Sequence, residues 1–281
     1  MPEVTTQYYL GNDKIQYVAL GDSPVATNPF TFTDVDPDAQ AFITATGISG
    51  TEATAINTLV VALKAGGFWT GLQAAYPMVG GTSTTCKYNL KNPLDTNAAF
   101  RLSFAGTWTF DSNGAKPNGV SGTYADTFFA PATYQTTSNG SFSYYSFTNN
   151  AGSDDVEIGC IGTAASSEIN LATRFSDGNF YVFYGGAGLG FANSVSNGFY
   201  INNRAAQIEG WKNGTRVING GTPTNMPSRN IYLGAENDGT TGYRNSSRGC
   251  SFASMGATLS DPAAFSTIVN NFQTTLGRNQ Y

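Results

Sequence analysis

Apolar residues recur along this chain with two different periods, and the change falls near residue 80. Before it the spacing is helical. Asp36 ahead of Pro37 reads as an N-cap followed by proline at the first helical position, and Ala39, Phe42 and Ile43 share one face. Over residues 51–65, Ile56, Leu59, Val60 and Leu63 fall at i, i+3, i+4 and i+7, one stripe closed by Gly66-Gly67. A third short helical piece is expected over residues 69–76, ending at Pro77.

After residue 80 the pattern is that of strands parted by turns. Runs at 101–104 and 106–110 precede the turn Asp111-Ser112-Asn113-Gly114, and the aromatic run 142–147 ends in Asn149-Asn150. Runs at 156–161, 169–175, 180–184 and 199–202 follow. The clearest hairpin joins 207–211 to 215–218 through Asn213-Gly214, since both central residues of such a turn need positive φ. With 231–233 and 250–255, about ten short strands predict a mainly β protein built as an antiparallel β-sandwich or jelly roll. The chain closes with a helix: Asp261 caps it, Pro262 follows, and Phe265, Ile268, Val269 and Phe272 share a face before Gly277. The expected organisation is an extended N-terminal attachment segment (1–35), a small helical unit (36–79) and a sandwich ending in a helix (80–281). Within the first segment, 5–10 and 14–20 are strand candidates around Gly11-Asn12-Asp13.

Charged residues make up only 12% of the 281, aromatics 13%, and the net charge is −5. Disordered chains lack aromatics and carry strong net charge, so this one is expected to fold, with a surface polar through hydroxyls and amides. Its acidic balance argues against nucleic acid as a partner, which needs clustered Lys and Arg. No apolar run reaches the roughly 18 residues of a membrane helix. The start, Met1-Pro2-Glu3, lacks a secretory signal, so synthesis is expected in the cytoplasm.

The sequence holds no histidine. That removes Ser-His-Asp, Cys-His and His-ligated metal sites together. Cys86, Cys160 and Cys250 are dispersed and fit buried free thiols better than a disulfide framework or zinc site. Carboxylate catalysis needs paired acids on a strand face, and the best match is Asp155-Val156-Glu157, for which a solvated face is the simpler reading. The run from Gly185 to Gly190 does not open a helix, and that from Gly80 to Lys87 lacks the remaining residues of a phosphate loop; both read as loops or bulges. Trp69, Trp108 and Trp211 are candidates for stacking on a sugar, although tryptophan in a strand is more often core. The loops Glu236-Asn237-Asp238-Gly239 and Ser153-Asp154-Asp155 offer oxygen ligands suited to Ca2+, while turns of this kind are far commoner than sites. No catalytic residue and no other cofactor is expected.

Three segments in order carry a resemblance: Trp211-Lys212-Asn213-Gly214-Thr215-Arg216-Val217, then Arg229-Asn230-Ile231-Tyr232-Leu233-Gly234, then Gly249-Cys250-Ser251-Phe252-Ala253-Ser254-Met255-Gly256 ahead of Leu259-Ser260-Asp261-Pro262. This order resembles the closing strands of concanavalin-A-like, laminin-G-like jelly rolls. The ending Phe272-Gln273-Thr274-Thr275-Leu276-Gly277-Arg278, the stretch from 55–60 to Tyr76-Pro77, then 87–91, and Ala125-Asp126-Thr127-Phe128 look like those of such domains in tailed-bacteriophage virion proteins. The resemblance covers roughly residues 38–281 and supplies no ligand site. It implies a non-enzymatic structural component of a phage particle (tail, baseplate, fibre or capsid-decorating), located in the virion, with carbohydrate binding as an added capacity. The expected partners are other virion proteins through residues 1–35, further copies of the chain with a trimer preferred, and a host-surface glycan. The alternative is a bacterial carbohydrate-binding, lectin-like module; a glycosidase or lyase is the third reading.

Overall fold

The computed structural model describes residues 35–151, 154–163 and 167–281. The strand candidates at 5–10 and 14–20 lie outside the described residues. In chain order the first strands are β1 (Leu72–Tyr76), β2 (Ser103–Ala105), β3 (Trp108–Asp111), β4 (Gly114–Pro117) and β5 (Tyr124–Asp126). Then come β6 (Gly140–Ser146), β7 (Ile158–Ile161), β8 (Glu168–Ala172), β9 (Asn179–Tyr184), β10 (Ala187–Ala192) and β11 (Gly198–Arg204). The last are β12 (Ile208–Lys212), β13 (Thr215–Gly220), β14 (Tyr232–Leu233), β15 (Glu236–Asn237) and β16 (Cys250–Gly256). The helices are α1 (Pro37–Thr46), α2 (Gly50–Ala65), the single turns α3 (Ser83–Cys86) and α4 (Pro131–Tyr134), and α5 (Pro262–Thr275).

The strands form two sheets, so the mainly β sandwich expected from the turn spacing is the fold. Sheet 1 runs β13-β12-β11-β6-β16-β4-β3, with β1 also on β16; sheet 2 runs β10-β9-β8-β7-β14-β5-β2, with β15 added to β7. Pairing is antiparallel except for the two residues of β15 on β7. Period-two alternation sends Phe142, Tyr144, Tyr200 and Met255 from sheet 1, and Ile158, Ile169, Leu171, Phe180 and Val182 from sheet 2, into one shared core. The opposite face of sheet 1 is apolar too, through Tyr145, Phe199, Ile201 and Phe252. A sheet apolar on both faces needs two covers, and α1, α2 and α5 supply the second with Phe42, Ile56, Leu59, Leu63, Phe265 and Val269. The layers are therefore helices, sheet 1, core and sheet 2. Among the described residues no long helix packs on the outer face of sheet 2.

The helix caps are those the sequence announces. The Asp36 carboxylate accepts from the Asp38 amide at 3.0 Å, and that of Asp261 from the Ala264 amide at 3.0 Å. No helix among the described residues is long and apolar enough to cross a membrane. Arg278, just past α5, is buried and fastens the helical layer to sheet 1. Its guanidinium donates to the carbonyls of Pro77 (2.6 Å), Met78 (2.8 Å), Ser112 (3.3 Å) and Ser251 (3.1 Å), and to Gln273 Oε1 (2.6 Å).

Two expectations need correction. Residues 69–76 do not make a helix: Leu72–Tyr76 is strand β1, with Ala75 opposite Ser254 and Tyr76 opposite Ala253. Ala74 and Tyr76 enter the central core while Leu72 and Ala75 meet the helices, so both faces are covered and no alternation shows in the sequence. The helical unit expected at 36–79 thus donates a strand to sheet 1, and residues 35–281 form one compact unit. The glycine run 185–190 is not a loop either. Gly185 (φ 61°) and Gly186 (φ 84°) are a two-residue hairpin turn, and the rest belongs to β10, paired along its length with β9.

Candidate functional site

The uncovered face of sheet 2 is where the sequence places aromatic side chains with nothing above them. In β9, Phe180, Val182 and Tyr184 point into the core, which turns Tyr181 and Phe183 outward, both half-buried. Their partners across the ladder are Gly190 and Gly188. A Cβ on Gly188 would lie 2.2 Å from Phe183 Cε1, and one on Gly190 would lie 2.6 Å from Tyr181 Cε1. The two rings therefore lie down across the bare backbone of the edge strand and make a platform, their centroids 6.2 Å apart. The Tyr181 hydroxyl donates to Asp177 Oδ2 at 2.7 Å, which fixes that ring and holds the Asp177 carboxyl below its usual range.

The platform ends at a cavity of about 250 Å³ walled by Tyr181, Phe183, Phe175, Val156, Ala172, Asn170 and Arg244. Asn170 is only 2% exposed. Its Nδ2 donates to Glu168 Oε1 (2.6 Å) and Glu236 Oε1 (2.8 Å). With the amide nitrogen turned to these two carboxyls, Oδ1 is left buried without a partner. Arg244 is its counterpart. Nη1 donates to Glu168 Oε1 and Glu236 Oε2, each at 3.1 Å, while Nε is buried without a partner. The guanidinium also lies 5.5 Å from the Phe175 ring centroid and 5.0 Å from that of Tyr243.

Arg244 sits at φ 51°, a left-handed conformation that costs a residue with a side chain on the order of 1–3 kcal/mol. The flanking backbone imposes it: Glu236 and Tyr243 exchange amide-to-carbonyl bonds of 2.7 and 2.8 Å, and the Val156 amide donates to the Arg244 carbonyl at 2.9 Å. One buried acceptor and one buried donor without partners, each costing about 1–3 kcal/mol, thus belong to two residues that line a single cavity. On its other side Arg244 borders an open recess of about 440 Å³ with Asp154, Asp155, Ser176, Tyr243 and Asn245.

Glu168 and Glu236 bracket Arg244 from below. Burial, and then the charge of Glu168, push the Glu236 carboxyl up to about 8. Glu236 is fully enclosed, with a side-chain exposure of 0%. Neither glutamate forms part of the cavity wall.

Asp155-Val156-Glu157 is not a solvated face. Glu157 is fully buried and paired with Arg248 at 2.6 Å, and it accepts from Ser246 Oγ (2.9 Å) and the Thr173 amide (2.5 Å). Arg248, buried as well, spends its other nitrogens on Asn150 Oδ1 (2.9 Å) and the Arg174 carbonyl (2.6 Å). The tryptophans do not meet at this site. Trp69 lies beneath Lys91, Trp108 packs on Phe104, and Trp211 donates to Glu209 Oε2 at 3.0 Å. In the acidic loop, Asp238 and Asn237 accept from the backbone amides of Thr240 and Gly239 as ordinary turns do. Ser153 lies outside the described residues, and Asp154 Oδ1 accepts from Ser176 Oγ. No group of three or more Cys, Asp or Glu suited to a metal gathers among the described residues. All three cysteines are free and buried, and burial pushes the Cys86 thiol up to about 12.

No protein-family model and no curated relative matches this chain. Among solved structures it is similar to the sialidase of Trypanosoma rangeli in complex with sialic acid, at 11% identity and a TM-score of 0.48, over 77% of this chain and 38% of that one. It is also similar to domain 4 of AbnA, a GH43 extracellular arabinanase from Geobacillus stearothermophilus, in complex with arabinotriose, at 12% identity and a TM-score of 0.44, over 72% of this chain and 98% of that one. A third is the NanB sialidase of Streptococcus pneumoniae, at 10% identity and a TM-score of 0.35. The chain spans well under half the length of these sialidases.

Proposed function

We propose that this chain is a non-enzymatic carbohydrate-binding β-sandwich whose ligand lies on the outer face of sheet 2. The observation that carries the reading is the Tyr181–Phe183 platform leading into a cavity lined by Asn170 and Arg244, whose Oδ1 and Nε are buried without partners. Sugars present both chemistries at once: an apolar ring face for stacking, and polar groups that donate and accept around its edge. The cavity lies just below the roughly 300–1,000 Å³ of sites for drug-sized ligands, which fits part of one sugar residue inside and the rest of a chain along the platform.

The carboxylates support binding over cleavage. A glycosidic bond needs two acids that reach the substrate. Here Glu236 is enclosed, and both Glu168 and Glu236 are committed to Asn170 and Arg244. Turnover of a polysaccharide that disappears in Glu168→Gln would overturn the non-enzymatic reading.

In this proposal the module serves in a tailed-phage particle, on the strength of the motif order across residues 38–281. Residues 1–35 attach it to other virion proteins, further copies of the chain assemble with it as a trimer, and a host-surface glycan is its target. Proteomics of purified particles tests the location, and light scattering of the full chain tests the oligomer. A glycan array tests the site: the full chain retains a defined set of glycans, and the Tyr181→Ala/Phe183→Ala double variant loses them. Equal retention by both proteins refutes the site; silence from both refutes the function.

A further inference from the structure

We infer that the sugar accommodated by this cavity is a 2-acetamido sugar, with its acetamido group inserted between Asn170 and Arg244. This rests on the carbohydrate reading and names the ligand class. The two unpartnered atoms have opposite character: Asn170 Oδ1 requires a donor and Arg244 Nε requires an acceptor. A secondary amide offers one of each, its N–H to Asn170 and its carbonyl to Arg244. The remaining wall is apolar, formed by Val156, Ala172 and the Phe175 ring, and takes the acetyl methyl. The attached pyranose then continues over Phe183 and Tyr181.

The other common sugar substituents fit less well. A carboxylate satisfies Arg244 but brings an acceptor against the Asn170 oxygen. An ammonium satisfies Asn170 but brings a cation against the Arg244 donor. A lone hydroxyl can serve both atoms only if one oxygen reaches both, and it leaves the apolar wall unfilled. Only the acetamido group answers the donor, the acceptor and the apolar surface together. Asn170 is held for this task from below, since its amide nitrogen donates to Glu168 Oε1 and Glu236 Oε1.

Calorimetric titration of the full chain with three trimers of one backbone geometry tests the inference. N,N′,N″-triacetylchitotriose carries the acetamido group, chitosan trimer carries an ammonium in its place, and cellotriose carries a hydroxyl. The expected result is at least tenfold tighter binding of the acetylated trimer than of either other. Ala172→Leu fills the apolar wall and is expected to bring the acetylated trimer to the affinity of cellotriose, with the melting temperature of the variant near that of the parent. Cellotriose binding as tightly as the acetylated trimer, or an acetyl preference that survives Ala172→Leu, overturns the acetamido assignment and leaves the carbohydrate reading standing. No binding of any trimer, together with a silent glycan array, overturns both.

Discussion

The ring of Phe183 lies across the bare backbone of Gly188, its partner on the neighbouring strand, so closely that a Cβ there would stand 2.2 Å from ring carbon Cε1. The glycine is what allows the aromatic ring to lie flat, and the flat ring is what a sugar can stack on. Gly188→Ala must tilt the ring. Because Phe183 is half-buried and free to swing, the stability cost is expected to be small, about 1 kcal/mol or less, at the low end for added core volume. Glycan affinity is expected to fall at least fivefold. Thermal melts and calorimetry on the same preparation separate the two; a large loss of stability with unchanged affinity would refute the platform.

Glu157 and Arg248 form a fully buried pair that ties sheet 2 to the loop before β16. Removing one charge strands the other. Arg248→Met is expected to cost about 3–5 kcal/mol in urea unfolding, and Glu157→Gln a similar amount. The double variant Glu157→Leu/Arg248→Met is expected to recover part of that loss, because neither member of the pair is stranded while Asp155, 3.8 Å from the Arg248 guanidinium, still loses its countercharge. Additive losses in the double variant would show that the two side chains act independently.

Glu236 makes stability depend on pH in a defined sense. Burial, and then the charge of Glu168, raise its carboxyl in the folded chain from the ordinary 4.5 to about 8. Between the two the folded chain keeps a proton that the unfolded chain has released, so the contribution to stability is present below about 4.5 and lost as pH rises toward 8. Glu236→Gln removes this dependence. Its stability relative to the parent is expected to improve by on the order of 4 kcal/mol between pH 5 and pH 9. A constant difference across that range in chemical denaturation would contradict the enclosed, proton-holding carboxyl.

Arg278 is held by four backbone carbonyls and one side-chain amide oxygen, an arrangement that uses the whole planar fork. Burial lowers its pKa to about 10. Lysine at this position keeps the charge but cannot reach acceptors on all these segments. Arg278→Lys is expected to cost about 2–4 kcal/mol, since buried carbonyls lose their donors. A variant as stable as the parent would show that α5 is secured by apolar packing alone.

Much of the fold is legible in the sequence because it is local. Asn213-Gly214 makes its hairpin, Asp261-Pro262 starts its helix, and the stripe Ile56, Leu59, Val60, Leu63 packs as spaced. The candidate site was less legible for the opposite reason. Gly188 and Gly190 read as loop chemistry until the strand opposite them is known, although Gly185-Gly186 directly after the aromatic run of β9 is itself a two-residue hairpin signal. Asn170, Glu168, Glu236 and Arg244 come from segments up to 76 residues apart and carry no motif. Likewise Glu157 looks like a surface acid until Arg248, 91 residues on, is brought against it. Strand β1 escaped because covering both faces erases the alternation by which strands are read.

The most direct measurement of the central claim is a ¹H–¹⁵N spectrum of the full chain titrated with N,N′,N″-triacetylchitotriose, following the Arg244 Nε–H and the Asn170 side-chain amide. The account predicts that both signals shift saturably, together with the backbone amides of Gly188 and Gly190, and that Phe183→Ala abolishes the shifts. Saturable binding that leaves these signals in place and moves instead residues of α1, α2 and α5 on the far side of sheet 1 would contradict it.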